Sequence, residues 1–171
     1  TAQALLRAQG LPPAEATAAA RFQVWHERAL SESLGRFFEV PASLRGQMEE
    51  HLAWVGATLG PLPPAAPSTG EAARVYRRQP QPRGPLTAFG YDYFLDKYGE
   101  DKAQGLALLQ HTGARGSGDE YAYEALNLVD GRRSVQQIRD MLAAIYGPLP
   151  VEAVAAYLRA LAAIGVLAAA D

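Results

Sequence analysis

The sequence predicts a mostly α-helical protein: an N-terminal helical pair, a proline-rich linker and a C-terminal winged-helix-like three-helix domain with a minimal strand. Three features predict it. Apolar residues recur at three- and four-residue steps over several long stretches. Prolines and glycines gather between those stretches. The segment NLVDGRRSVQQIRDML, Asn127 to Leu142, carries a helix stop followed by a helix start.

Residues 1–59 are assigned to the helical pair. Ala14 to Phe38 reads as one long helix, with Ala18, Phe22, Trp25, Ala29, Leu30, Leu34 and Phe37 on an apolar stripe and Pro12-Pro13 just before it. Pro41 ends that segment, and Ser43 is the expected N-cap of a second helix with Leu44, Met48, Leu52, Val55 and Leu59 on its apolar face. A short turn between the two makes them antiparallel neighbours.

Residues 60–86 are assigned to a Pro/Arg-rich extended linker. Pro61, Pro63, Pro64 and Pro67 exclude a helix or a central strand, and Pro80, Pro82 and Pro85 keep the following stretch broken and extended. Residues 87–118 hold a helical segment and a glycine-rich connection. Tyr91 to Leu109 resumes helical spacing with a break at Gly99, and GARGSG, Gly113 to Gly118, reads as flexible.

Residues 119–171 form the winged-helix-like unit. A first helix from Tyr121 to Val129 stops near Asp130-Gly131, because glycine takes the left-handed conformation at low cost. Ser134 with Gln137 three residues on is a capping box, opening a helix whose core face is Val135, Ile138, Met141, Leu142 and Ile145. Gly147-Pro148 ends it. A third helix after Pro150 is expected to bury Val151, Val154, Leu158, Leu161 and Ala162; Gly165 stops it, and Val166 to Ala168 is one short strand.

The 171 residues suit one moderate domain or two small ones, and 49% hydrophobic residues supply a core. Without cysteine the chain has no disulfide, thiolate zinc site or cysteine nucleophile. No apolar run approaches the ~20 residues of a membrane span, and no signal peptide is visible, so no membrane partner is expected. The chain begins Thr-Ala-Gln without an initiator Met, which suggests a processed chain or an excised fragment.

The Asp130-Gly131 turn between two helices has the layout of a DNA-reading domain, but the charges oppose that use. The net charge is −2, and from Asp119 to Asp171 four arginines face seven carboxylates, a local balance of −3. Such a surface lacks the counterion-release term behind most DNA affinity. The third helix, VEAVAAYLRALAAIG, has only Arg159 to offer a base or a phosphate. No nucleic-acid partner is expected.

Catalytic signatures are equally scarce. His26, His51 and His111 fall in separate segments without metal-ligand spacing, and Glu49-Glu50-His51 cannot converge from consecutive helical positions. Neither G-x-S-x-G, a P-loop nor G-x-G-x-x-G occurs. What remains is a candidate interaction surface: Arg77, Arg78 and Arg83, which with Arg74 could grip an anion or acidic partner, the turn pair Arg132 and Arg133, and Tyr93, expected to be exposed while Tyr91, Phe94 and Tyr98 pack inward. The competing role for these arginines is to keep an extended segment and a turn in solution.

The pattern YEALNLVDGRRSVQQIRDMLAAIYGPLPVEAVAAYLRALAAIGVL, Tyr123 to Leu167, resembles the C-terminal helical domain of certain bacterial di-zinc aminopeptidases of metallopeptidase family 28. The stretch Arg77 to Phe89, followed by a helix ending in Tyr98-Gly99-Glu100, is similar to the same proteins' linker, and Arg21 to Phe38 to the helix after their catalytic core. The resemblance implies a non-catalytic accessory region that packs on a peptidase domain of the same or a sister chain, forms a homo-oligomer, or restricts substrate access. It implies zinc in the catalytic domain of the parent and no cofactor in this chain, since none of the family's ligand motifs is present. Asp130 to Val135, with the helical pair and the closing Gly-Val-Leu, is also similar to leader-peptide chaperone domains of the pyrroloquinoline-quinone pathway. Those bind peptide along a sheet that precedes the helices, and that strand is expected to be missing here.

Overall fold

The computed structural model describes residues 13–59, 68–113 and 115–170 and is mostly helical, with only short antiparallel strand pairs. Pro12, the prolines from Pro61 to Pro67 and the side chains of Ala18, Leu30 and Leu59 lie outside the described residues. The chain divides into two compact units, Thr1–Ala65 and Ala66–Asp171.

The first unit is the helical pair, α1 (Pro13–Leu34) and α2 (Ala42–Leu59). α1 stops one turn short of the expected Phe38. Gly35 follows Leu34, a residue costing a helix about 1 kcal/mol against alanine, and the Arg36 and Phe37 amides bond back to Ser33 and Leu34 at 3.0 and 3.1 Å. α2 begins before Ser43: the Pro41 carbonyl accepts from the Arg45 amide at 3.0 Å, which puts Pro41 in the cap position and Ser43 within the first turn. Among the described side chains of this unit, the buried apolar ones are Ala16, Ala19, Ala20 and Val40.

The second unit is built around α7 (Val151–Ala163). A 3-10 turn (Gly70–Ala73) leads into β1 (Tyr76–Arg78), then a two-residue hairpin of β2 (Thr87–Ala88) and β3 (Tyr91–Asp92). Two short helices follow, α3 (Tyr93–Tyr98) and α4 (Glu100–Gln104), separated at Gly99 with φ 96°. Next come α5 (Gly118–Asn127), α6 (Val135–Tyr146), α7 and β4 (Leu167–Ala169). α7 packs against α3, α5, α6, the 3-10 turn and β4. It therefore buries more than the expected stripe: Ala153, Ala155, Tyr157 and Ala160 are buried with Val154, Leu158 and Leu161, whereas Val151 and Ala162 are half-exposed. Its one basic residue, Arg159, is tied to Glu71 of the 3-10 turn at 2.8 Å.

A strand does precede the helices, contrary to the reading of the second resemblance. β1 pairs antiparallel with β4, Arg77 opposite Ala168. Its other side is bound by the interhelical turn: the Gly131 amide donates to Tyr76 O at 3.1 Å and the Val135 amide to Arg74 O at 2.9 Å. That turn is fixed by Asp130, whose Oδ1 accepts from the Arg132 and Arg133 amides at 3.0 and 2.8 Å, and by Gly131 at φ 78°. The Ser134–Gln137 capping box is present as expected.

The glycine-rich connection is a packed turn. The Gly113 amide bonds Gly116 O at 2.9 Å, and a Cβ on Gly118 would stand 2.1 Å from Leu109 O. These glycines let backbones approach closely. A second capping box, in which the Glu120 carboxylate accepts from the backbone amide and hydroxyl of Ser117, starts α5.

Candidate functional site

The second unit holds a cavity of about 520 Å³ bounded by Arg78 of β1, the loop and hairpin from Gly84 to Asp92, and faces of α3, α5 and α7. Its apolar surface comes from Leu86, Phe94, Leu109, Ala122 and Leu126. Its polar residues are Arg78, Thr87, Asp92, Asp119, Tyr123, Asn127 and Tyr157.

Each is placed for a local reason. Asp92 is the N-cap of α3: Oδ1 accepts from the Leu95 amide at 3.0 Å, and Oδ2 from the Thr87 hydroxyl at 3.3 Å. Asp119 stands in the first turn of α5, where the helix dipole favours a carboxylate. It is exposed and makes no hydrogen bond or ion pair within the described residues. Arg78 is half-buried and donates to Gly84 O, which holds the loop against β1. Tyr157 is 4% exposed, with its ring tilted against Phe94 at 5.3 Å. Burial pushes its hydroxyl pKa far up, and the charges of Asp92 and Asp119 push it further, so the group stays protonated.

The candidate residues divide between two places. Arg78 lines the cavity. Arg77, its neighbour on the strand, points to the opposite face, where its Cβ lies 3.7 Å from the point a Cβ on Gly131 would occupy. Arg132 is exposed; Arg133 is half-buried, paired with Asp130 at 3.1 Å and donating to Leu128 O at 3.2 Å. Arg83 is exposed in the loop. The Tyr91 and Tyr93 expectations are reversed. Tyr91 lies in β3, 53% exposed, bonded to Asp96 at 2.8 Å, while Tyr93 is half-buried with Lys97 5.9 Å from its ring centroid. The helix begins only at Tyr93, so helical spacing does not reach Tyr91.

Asp92, Asp119 and Tyr157 were not singled out from the sequence. Asp92 had a readable signal as an N-cap ahead of an apolar helix. Tyr157 had none, because an aromatic on an apolar helix face looks like any core residue.

The first unit presents a different surface. α1 and α2 enclose a groove of about 810 Å³ floored by Val24, Val40, Met48 and Leu52 and edged by Arg28, Glu32, Arg45 and Glu49. Phe37 (82% exposed), Phe38 and Trp54 (63%) stand out from the same unit. No group of three or more His, Cys, Asp or Glu that could hold a metal ion occurs among the described residues, and no single helix there is long and apolar enough to cross a membrane. In comparison with known proteins, no family model, curated sequence or solved structure matches the chain.

Proposed function

We propose that this chain is a non-catalytic accessory region of a zinc-dependent aminopeptidase, docking through its helical pair onto the peptidase domain of the same or a sister chain. One observation carries the docking: a unit whose described core is three alanines and a valine exposes Phe37, Phe38, Trp25 and Trp54. Each aromatic removes ~150–250 Å² from water when covered, so such a face gains by meeting a second surface. The identity of the partner rests on the resemblance of Tyr123 to Leu167 and of Arg21 to Phe38 to that family. Zinc chemistry belongs to the partner in this reading.

Trp25 and Trp54 are the only tryptophans, and both lie on this unit. Tryptophan emission therefore reports docking there. Mixing the chain with a catalytic domain of a family 28 aminopeptidase is expected to shift emission to the blue and to yield a co-eluting complex. Unchanged emission with no complex, or zinc-dependent aminopeptidase activity from this chain by itself, overturns the reading.

A second reading, a peptide-binding module, is favoured by the edge of β4. β1 lies between β4 and the Asp130–Ser134 turn, so β4 keeps the free side of the sheet among the described residues. Bonds from Gln79 N to Val166 O and from Ala170 N to Val75 O turn the Leu167 and Ala169 peptide groups away from β1; Leu167 is buried and Ala169 is exposed. An extended peptide adds to such an edge through main-chain bonds. Titration with a leader-like peptide tests it: saturable shifts of the Leu167 and Ala169 amide resonances support it, and their absence removes it.

A further inference from the structure

We infer that the groove between α1 and α2 is a self-association face, closed by the same groove of a second copy about a two-fold axis to give a four-helix bundle. The inference does not rest on the peptidase reading, and it uses a different face. α2 turns Arg45, Met48, Glu49, Leu52 and Gly56 to the groove. At about 100° per residue, Trp54 stands on the opposite side of that helix. The groove has an apolar floor to cover: Val24, Met48 and Leu52 line it and are only half-buried. Two more helices laid across them make the arrangement in which such a stripe is enclosed.

The rim says which cover fits. Arg28 and Glu32 stand one turn apart on α1, and Arg45 and Glu49 one turn apart on α2; all four are exposed and line the groove. None of their side chains makes a hydrogen bond or ion pair within the described residues. Counted from the connecting turn, Glu32 lies two residues inside the end of α1 at Leu34, and Arg45 three inside the start of α2 at Ala42. Arg28 and Glu49 lie six and seven inside. The signs therefore alternate both along the groove and across it. Copies stacked face to face have two possible two-fold axes. With the axis along the groove, Arg28 of one copy meets Glu49 of the other, and Glu32 meets Arg45. With the axis across it, Arg28 meets Glu32 and Arg45 meets Glu49. Opposite charges meet either way, and an isologous interface makes each contact twice. A wholly acidic or wholly basic partner helix would be repelled by half the rim. α2, with 18 residues, is about 27 Å long and the pair about 20 Å wide, so each copy contributes a footprint of roughly 500 Å². That is the lower limit of specific interfaces and fits a reversible dimer.

The test is sedimentation equilibrium of the full chain from about 5 to 500 µM, where a reversible dimer of this size dissociates. A monomer–dimer equilibrium that weakens as salt rises is expected. Arg28→Glu opposes like charges at two symmetry-related places and is expected to weaken dimerisation about 10-fold. Adding Glu49→Arg to it restores the dimer if the axis runs along the groove. Adding Glu32→Arg restores it if the axis runs across. Gln47→Glu, exposed on the far side of α2, is expected to leave the equilibrium unchanged. Every substituted side chain is exposed, and far-UV circular dichroism verifies that each variant is folded. A monomer throughout the range, a dimer that Arg28→Glu leaves intact, or a loss that neither second substitution restores overturns the assignment. So does a dimer weakened equally by Gln47→Glu, which moves the association off the groove. The peptidase reading fails on mixing with a catalytic domain instead, so the two outcomes are separable.

Discussion

The helical pair and the helical domain are written in the same amphipathic pattern, and they use it differently. In the second unit the apolar stripes of α5, α6 and α7 close on one another, and Tyr121, Leu108, Ile138, Leu142, Leu158 and Leu161 are fully buried. In the first, α1 and α2 bury alanines and leave aromatic residues outside. Two helices offer each other one face apiece, too little to enclose a Trp or Phe, whereas α7 is surrounded on several sides. Periodicity says that a face is apolar. It does not say what covers the face.

Core truncation should separate the units most. Leu158→Ala, at a position with no exposed surface, is expected to destabilise the second unit by about 2–5 kcal/mol in urea unfolding followed by circular dichroism. Trp54→Ala should stay within about 0.5 kcal/mol in the isolated chain. A comparable loss at both positions would break the contrast. Glycines sharpen it next. Gly118→Ala forces a Cβ onto Leu109 O and should cost about 1–3 kcal/mol, whereas Gly56→Ala in α2 meets nothing within 4 Å and should stabilise by about 0.5–1 kcal/mol. Thermal unfolding of the two variants checks the opposite signs.

Legibility followed the same division. Stops and starts set by one or two residues were readable: the Ser134–Gln137 box, Gly131 at the turn, Gly147 and Gly165 as terminators. The mostly helical class followed from them. Features set by partners distant in sequence were not. The pairing of β1 with β4 joins residues some ninety positions apart, and nothing in Tyr-Arg-Arg announces it. GARGSG reads as loose because glycine serves both flexibility and close packing, and only Leu109 and Tyr146 decide which. The cavity was invisible for the same reason, since its polar residues come from β1, a hairpin, α5 and α7. Arg78 stands out in the sequence by its charge alone. Its place in the wall depends on strand alternation that the sequence did not reveal.

Smaller effects probe the turn that couples β1 to the helices. Ser134→Ala removes the hydroxyl that accepts from the Gln137 amide at 3.2 Å and should cost about 1 kcal/mol, read as a lower urea midpoint. Asp130 adds a pH signature. Burial raises its carboxyl, but the Arg133 and Arg132 amides and the Arg133 guanidinium outweigh that and hold its pKa below the ordinary value. A group depressed in the folded state binds protons more readily unfolded. Its contribution is therefore complete above the unfolded pKa of about 3.9 and fades as pH falls through the folded value. Asp130→Asn keeps one oxygen for the amides and loses the charge, so its cost should be well under 1 kcal/mol near neutrality. The difference from the parent should narrow below about pH 4. A difference independent of pH would mean that the amide hydrogen bonds, and not the carboxylate charge, hold β1 against this turn.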